Sequence, residues 1–212
     1  MMNVTMIGLG KLGLPVAEVM AEKHFVKGYD IDTTIKNDKI KICQSLYNAC
    51  VDSEIIFIAV PTPHDPAYGG EAPSSELPTK DFDYQYLKDT LKSLVDIAPK
   101  DAMIVNISTV LPGTLRPIIT KLDIGDRFVY NPYLIAMGTV TEDFLAPDIM
   151  MLGFQSWPHP DYKTKADKLI EFYKTVQTKR EPHTTLGTWE EAECIKIFHN
   201  TYISAKVGIA NM

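Results

Sequence analysis

The residues Gly8-Leu9-Gly10-Lys11-Leu12-Gly13 place three glycines at a spacing that suits a bound pyrophosphate. Gly8 permits a tight turn, Gly10 lets the backbone approach the phosphates, and Gly13 lets a following helix pack closely on the preceding strand. Phosphates in such a loop rest on unpaired N–H groups at a helix N-terminus, so no cluster of cationic side chains is required. Asp30 lies 20 residues beyond Gly10, where a carboxylate can take the ribose hydroxyls of a dinucleotide. An acid at that point repels a 2′-phosphate, which predicts NAD rather than NADP as cofactor, and Lys36 is too far along to reverse this. A second constellation is Lys196 and Asn200, four apart and therefore on one helix face. Ile195, Ile197, Phe198, Tyr202 and Ile203 surround them, and a cation beside an amide donor in apolar surroundings can stabilise a developing alkoxide. The same pattern also suits a lysine that merely snorkels from an apolar face.

These groups need elements to hold them. Short apolar runs predict strands over 4–7, 26–29, 40–43, 55–60, 103–107, 128–130 and 149–152, and helical spacing predicts helices over 12–23, 45–51, 84–97, 114–120 and 162–176. Their alternation predicts an α/β chain, a Rossmann-like doubly wound parallel sheet followed by the start of a long connecting helix. Thr188 and Glu191 form a T-x-x-E capping box at the start of that helix, which runs toward Met212 without a closing glycine or proline. The expected division is a dinucleotide-binding domain over 1–186 and the beginning of a connecting, dimer-forming helix over 187–212. Pro61–Asp81, with five of the fourteen prolines and Gly69-Gly70, reads as a long loop after a buried strand.

Composition narrows the classes. Twenty-one Lys and Arg against 27 Asp and Glu give a net charge of −6, which argues against a nucleic-acid footprint. No apolar run is long enough to span a membrane, and the first residues lack the basic and apolar regions of a signal peptide. Cys43, Cys50 and Cys194 are odd in number with no CxxC spacing, so a reducing, cytoplasmic setting is expected. His24, His64, His159, His183 and His199 lack metal-ligand spacing, and no metal is expected. Ser108 has no His or Asp near it in sequence that would make a hydrolase triad.

Further motifs fall at predicted strand ends, where ligands of parallel sheets bind. They are Pro61-Thr62-Pro63, Ser108-Thr109 with Pro112-Gly113-Thr114, Asn131-Pro132, Glu142–Asp148, and the run from Glu191 to Lys196 continuing as Ile197–Tyr202, which contains His199-Asn200. In this order and spacing, the chain resembles the UDP-glucose/GDP-mannose dehydrogenase family along essentially its whole length. The resemblance implies oxidation of a nucleotide-sugar alcohol, UDP- or GDP-linked, to a carboxylate with two NAD through a cysteine-bound intermediate. It also implies that Leu12, Asp30, Thr62 and Thr109 line the NAD site beside Gly8, Gly10 and Gly13, with Thr109 near the reacting centre. Lys196 and Asn200 match the family's Lys-x-x-x-Asn pair, which binds the substrate oxygen, and the C-terminal helix is where members dimerise.

The pattern also breaks. Tyr133 and Met137 stand where the family carries two glutamates; Tyr133 can still donate a hydrogen bond, whereas Met137 cannot. The family's nucleophilic cysteine and sugar-covering domain lie beyond Met212, and Cys194, on the same helix as Lys196, reads as a packing residue. The segment between Asp30 and Ile55 is short for the family. Two alternatives follow: a β-hydroxyacid dehydrogenase-like enzyme, which needs neither the cysteine nor the glutamates, and a non-catalytic NAD-binding module.

Overall fold

The computed structural model describes residues 1–69 and 76–212. Strands and helices alternate as β1 (Asn3–Ile7), α1 (Gly13–Ala21), β2 (Phe25–Tyr29), β3 (Lys41–Ile42), α2 (Leu46–Cys50), β4 (Ile55–Ile58), α3 (Gln85–Ile97), β5 (Met103–Asn106), α4 (Leu115–Leu122), β6 (Phe128–Tyr130), α5 (Val140–Leu145), β7 (Ile149–Phe154), α6 (Pro160–Val176), β8 (His183–Thr188) and α7 (Trp189–Ala210). The loop expected over Pro61–Asp81 contains a 3-10 turn at Pro66–Tyr68, while Gly70 of the Gly69-Gly70 pair lies outside the described residues.

The strands form one sheet in the order β3-β2-β1-β4-β5-β6-β7-β8. Pairing is parallel from β3 to β6, as the sequence pattern predicts. The last two strands depart from it: β7 meets β6 antiparallel at Tyr130↔Gly153, and β8 lies parallel to β7. A parallel return needs a substantial crossover. The 17-residue α6 supplies one between β7 and β8, but the six-residue α5, about 9 Å long, does not carry the chain back along the sheet before β7. Chain order reverses at β1, with β2 and β3 on one side and β4, β5 and β6 on the other. That reversal opens a crevice at the carboxyl ends of β1 and β4.

β4 and β5 are buried along their full lengths because helices cover both sheet faces. Ile55 and Phe57 face one core with Val16, Met20, Leu169 and Phe172 of α1 and α6. Ile56 and Ile58, the alternate residues, face the other with Leu87, Leu91, Ile119 and Trp189 of α3, α4 and α7. This two-sided burial explains why these strands read as unbroken apolar runs.

β8 is the strand that the apolar pattern does not announce. Its sequence, His-Thr-Thr-Leu-Gly-Thr, is polar and half-exposed at the sheet edge. It crosses the boundary expected after Leu186, and its last residue, Thr188, is also the N-cap of α7. The capping box forms as the sequence predicts: the Glu191 carboxylate accepts from the Thr188 N–H at 2.7 Å, and the Glu191 N–H donates to the Thr188 hydroxyl at 3.3 Å. Trp189, Ala192, Glu193 and Lys196 bury one face of α7. Arg116 of α4 holds this end through Glu190, to which its second guanidinium nitrogen donates at 2.7 Å, and lies 5.3 Å over the Trp189 ring.

Candidate functional site

The glycine loop sits on the crevice between β1 and β4. Gly8 has φ +90°, a conformation other residues rarely adopt, and a Cβ there would meet the Ala59 carbonyl oxygen at 2.5 Å. A Cβ on Gly13 would lie 1.9 Å from the Gly8 oxygen, so the start of α1 is packed directly on the turn. Gly10 differs, since a Cβ there would meet nothing within 4 Å. The open face is therefore where a pyrophosphate would approach, and Leu12, the N-cap of α1, offers no side-chain cap to compete for the first N–H groups of the helix. The residues present fit a dinucleotide on this ground.

Asp30 closes the other side of the loop. Its carboxylate accepts from the Leu9 N–H at 2.6 Å and from the Asp32 N–H at 2.9 Å, which fixes the end of β2 against the turn.

The ends of β4 and β5 meet next to it. The Thr62 hydroxyl donates to the Thr109 carbonyl at 2.6 Å, so two residues 47 apart in sequence form one rim. Ser108 anchors the turn beneath, donating to the Val60 carbonyl at 2.7 Å, while Asn106 bonds both the N–H and the carbonyl of Ser108 at 3.2 Å. Ser108 is thus a buried structural latch.

Lys196 is buried, and its Nζ donates to the Tyr133 carbonyl at 2.7 Å. Burial without a carboxylate partner pushes its pKa down to about 8. Asn200, one turn further, is exposed and borders a cleft of about 530 Å³ together with Leu134, Ile135, His199 and Ile203. Among the described residues no hydrogen bond joins Lys196 or Asn200 to Thr109. The structure therefore assembles the glycine loop with Asp30, and Thr62 with Thr109, while among the described residues the Lys196–Asn200 pair makes no hydrogen bond to either.

Tyr133 does donate or accept through its hydroxyl, but inward. It lies 2.9 Å from the Tyr173 hydroxyl, which donates to Asn131 Oδ1, and Asn131 Nδ2 donates to the Met151 carbonyl at 2.8 Å. Burial raises the pKa of both tyrosines, keeping the chain of hydroxyls neutral. The network pins the strand end that carries the Lys196 acceptor. Met137 is 64% exposed and touches none of this.

Sequence reasoning passes over Glu193. It is fully buried, and its carboxylate accepts from the N–H groups of Gly113 at 2.6 Å and Leu115 at 2.8 Å. Burial pushes its pKa up, opposed by these backbone donors. The available sign was its spacing: it precedes Lys196 by three, on the same helix face.

Comparison with known proteins gives the same picture. The model of the UDP-glucose/GDP-mannose dehydrogenase family, NAD binding domain, matches residues 31–177, about two thirds of the chain. The UDP-glucose 6-dehydrogenase of Rickettsia conorii is 27% identical over 96% of this chain and 41% of its own length. The UDP-glucose 6-dehydrogenase of Haloferax volcanii is 27% identical over 99% of this chain and 53% of its own. The chain therefore spans about half the length of such relatives, or less. In fold, it superposes with a TM-score of 0.79 on GDP-mannose dehydrogenase from Pseudomonas aeruginosa, at 24% identity, over 99% of this chain and 52% of that one. The matched region carries the sheet from β3 to β7 and the glycine loop adds its own geometry, so this chain belongs to the UDP-glucose/GDP-mannose dehydrogenase family, as its NAD-binding domain.

Proposed function

We propose that this chain is the cofactor-binding part of an enzyme that oxidises a UDP- or GDP-linked sugar alcohol to the carboxylate with NAD. The observation that carries the reading is the glycine loop: Gly8 and Gly13 locked by backbone contacts, Gly10 left open, and Asp30 closing the side. Gly10 and the first turn of α1 would hold the pyrophosphate, Asp30 the ribose, and Leu12, Thr62 and Thr109 the remainder. NAD bound there would supply a hydride acceptor. Lys196 and Asn200 would hold the substrate oxygen. A lysine with a pKa of about 8 can stabilise an alkoxide when protonated and accept the alcohol proton when neutral.

The same reading assigns the chain through the end of β8 to the cofactor domain, two residues past the expected boundary at 186, and α7 to a connecting helix that pairs with a second copy. Exposed Phe198, Tyr202 and Ile209 support the pairing. A cytoplasmic setting fits the free thiols of Cys43, Cys50 and Cys194. No helix among the described residues is long and apolar enough to cross a membrane. Titration calorimetry with NAD and NADP tests the cofactor assignment: saturable binding of NAD and much weaker binding of NADP is the expected result, and no binding of NAD overturns it. Oxidation of UDP- and GDP-sugars, assayed on the chain together with whatever sequence continues it, tests the substrate class, with Lys196→Ala expected to abolish turnover.

A second reading, a non-catalytic NAD-binding module, is favoured by one feature. Tyr133 spends its hydroxyl on Tyr173 and Met137 has none, so neither replaces the glutamates the family carries there. NAD binding without turnover of any nucleotide sugar would select it.

A further inference from the structure

We propose that Glu193 is a positioning residue that ties the helix bearing Lys196 to the Thr109 loop, so that the cofactor rim and the substrate-oxygen helix move as one body. The inference rests on the proposed NAD site and deepens it. The loop from Ser108 to Gly113 is held at its strand end by Ser108 and by the Thr62–Thr109 contact. Its helix end has no local cap, since Thr114 makes no side-chain hydrogen bond to the first turn of α4. Glu193 provides that cap from about eighty residues away, one carboxylate oxygen on the Gly113 N–H and the other on the Leu115 N–H. Glu193 itself is fully buried, so its carboxylate depends on these backbone donors for its hydrogen bonds. Three residues along the same helix, Lys196 reaches the chain leaving the neighbouring parallel strand, β6, through the Tyr133 carbonyl.

A second tie between α4 and α7 allows the idea to be separated from simple helix docking. Arg116 and Glu190 also join the two helices, but through the Arg116 side chain in the first turn of α4 rather than through a backbone N–H of the loop. Loss of that pair loosens docking without freeing an N–H of the loop. Glutamine at 193 can accept one N–H through its oxygen but turns its own NH2 toward the other, so one loop amide loses its acceptor.

The experiment compares NAD affinity by calorimetry for the wild-type chain, Glu193→Gln and Glu190→Gln, each at a temperature where circular dichroism shows it folded. Glu193→Gln is expected to weaken NAD roughly tenfold, the loss of one charge-assisted hydrogen bond, with Glu190→Gln unchanged. In parallel, NAD is expected to slow amide hydrogen exchange at Gly113 and Leu115 in the wild type, a measurement that stands even if the 193 variant fails to fold. Equal affinity of wild type and Glu193→Gln, an equal loss in Glu190→Gln, or exchange at these two amides indifferent to NAD each overturn the proposal. A wild type that binds no NAD overturns instead the reading on which it rests.

Discussion

Gly10 and Gly13, three residues apart in one loop, separate two demands usually made of the same motif. Gly13 is needed by the fold, because any Cβ would stand 1.9 Å from the Gly8 oxygen and neither backbone has room to yield. Gly10 is free of that demand, since a Cβ there meets nothing of the protein, and in the proposed site its open side is where the ligand would lie. Gly10→Ala should therefore leave the melting temperature within about 2 °C of wild type while sharply weakening NAD, and Gly13→Ala should lower stability by more than about 2 kcal/mol. Thermal melts and calorimetry on the two variants check the contrast; equal destabilisation would mean the loop is packed differently. Lys196 adds a titration. Its folded pKa of about 8 lies below the ordinary lysine value of 10.5, so between those values the unfolded chain binds the proton more readily. The burden of burying the charge is full below pH 8 and is relieved as pH rises toward 10.5, so stability from this group increases with pH across that window. The total is on the order of 3 kcal/mol. Urea denaturation of wild type and Lys196→Met at pH 7.5 and 10 should show the wild type gaining on the variant, and parallel curves would refute it.

At the scale of elements, α7 depends on an end that the sequence shows plainly and a neighbour that it hides. The T-x-x-E box at Thr188 and Glu191 is written in adjacent residues, and both of its hydrogen bonds form. Thr188→Ala should cost about 1 kcal/mol of stability, read from a denaturant midpoint with an unchanged slope. β8, which delivers Thr188, carries no apolar run because an edge strand is packed on one side only, by β7. α5 goes unread for another reason: it is short and Thr139 gives it no side-chain cap, whereas the still shorter α2 is announced by Ser45 at its N-cap. The central strands and the glycine loop were legible because their constraints are local, an unbroken apolar run or a fixed glycine spacing. The meeting of Thr62 with Thr109 was reachable only through family resemblance, since nothing within either segment demands it. Glu193 stayed hidden because its partners are backbone N–H groups about eighty residues away, which leave no mark on side-chain pattern.

For the molecule as a whole, the unresolved demand is the outer face of α7. Beyond Lys196 no residue of this helix is buried, yet Phe198 is 71% exposed, Tyr202 61% and Ile209 72%. With Ala205 these fall at positions 198, 202, 205 and 209, a four-three-four spacing that keeps one stripe in line along the helix. Ile203 and Val207 flank it. A stripe of this kind is a seam for another helix, and a second copy of the same helix, related by a two-fold axis, offers a matching one. The chain should therefore be dimeric at micromolar concentration by light scattering or sedimentation. Replacing both Phe198 and Ile209 with Glu sets like charges across the seam and should yield monomers. Because this stripe lies on the far side of α7 from Glu193 and Lys196, the monomeric variant should keep the NAD affinity of the wild type. A wild type that sediments as a monomer would leave the stripe for a different partner, whereas a dimer that survives the double substitution would place the interface elsewhere.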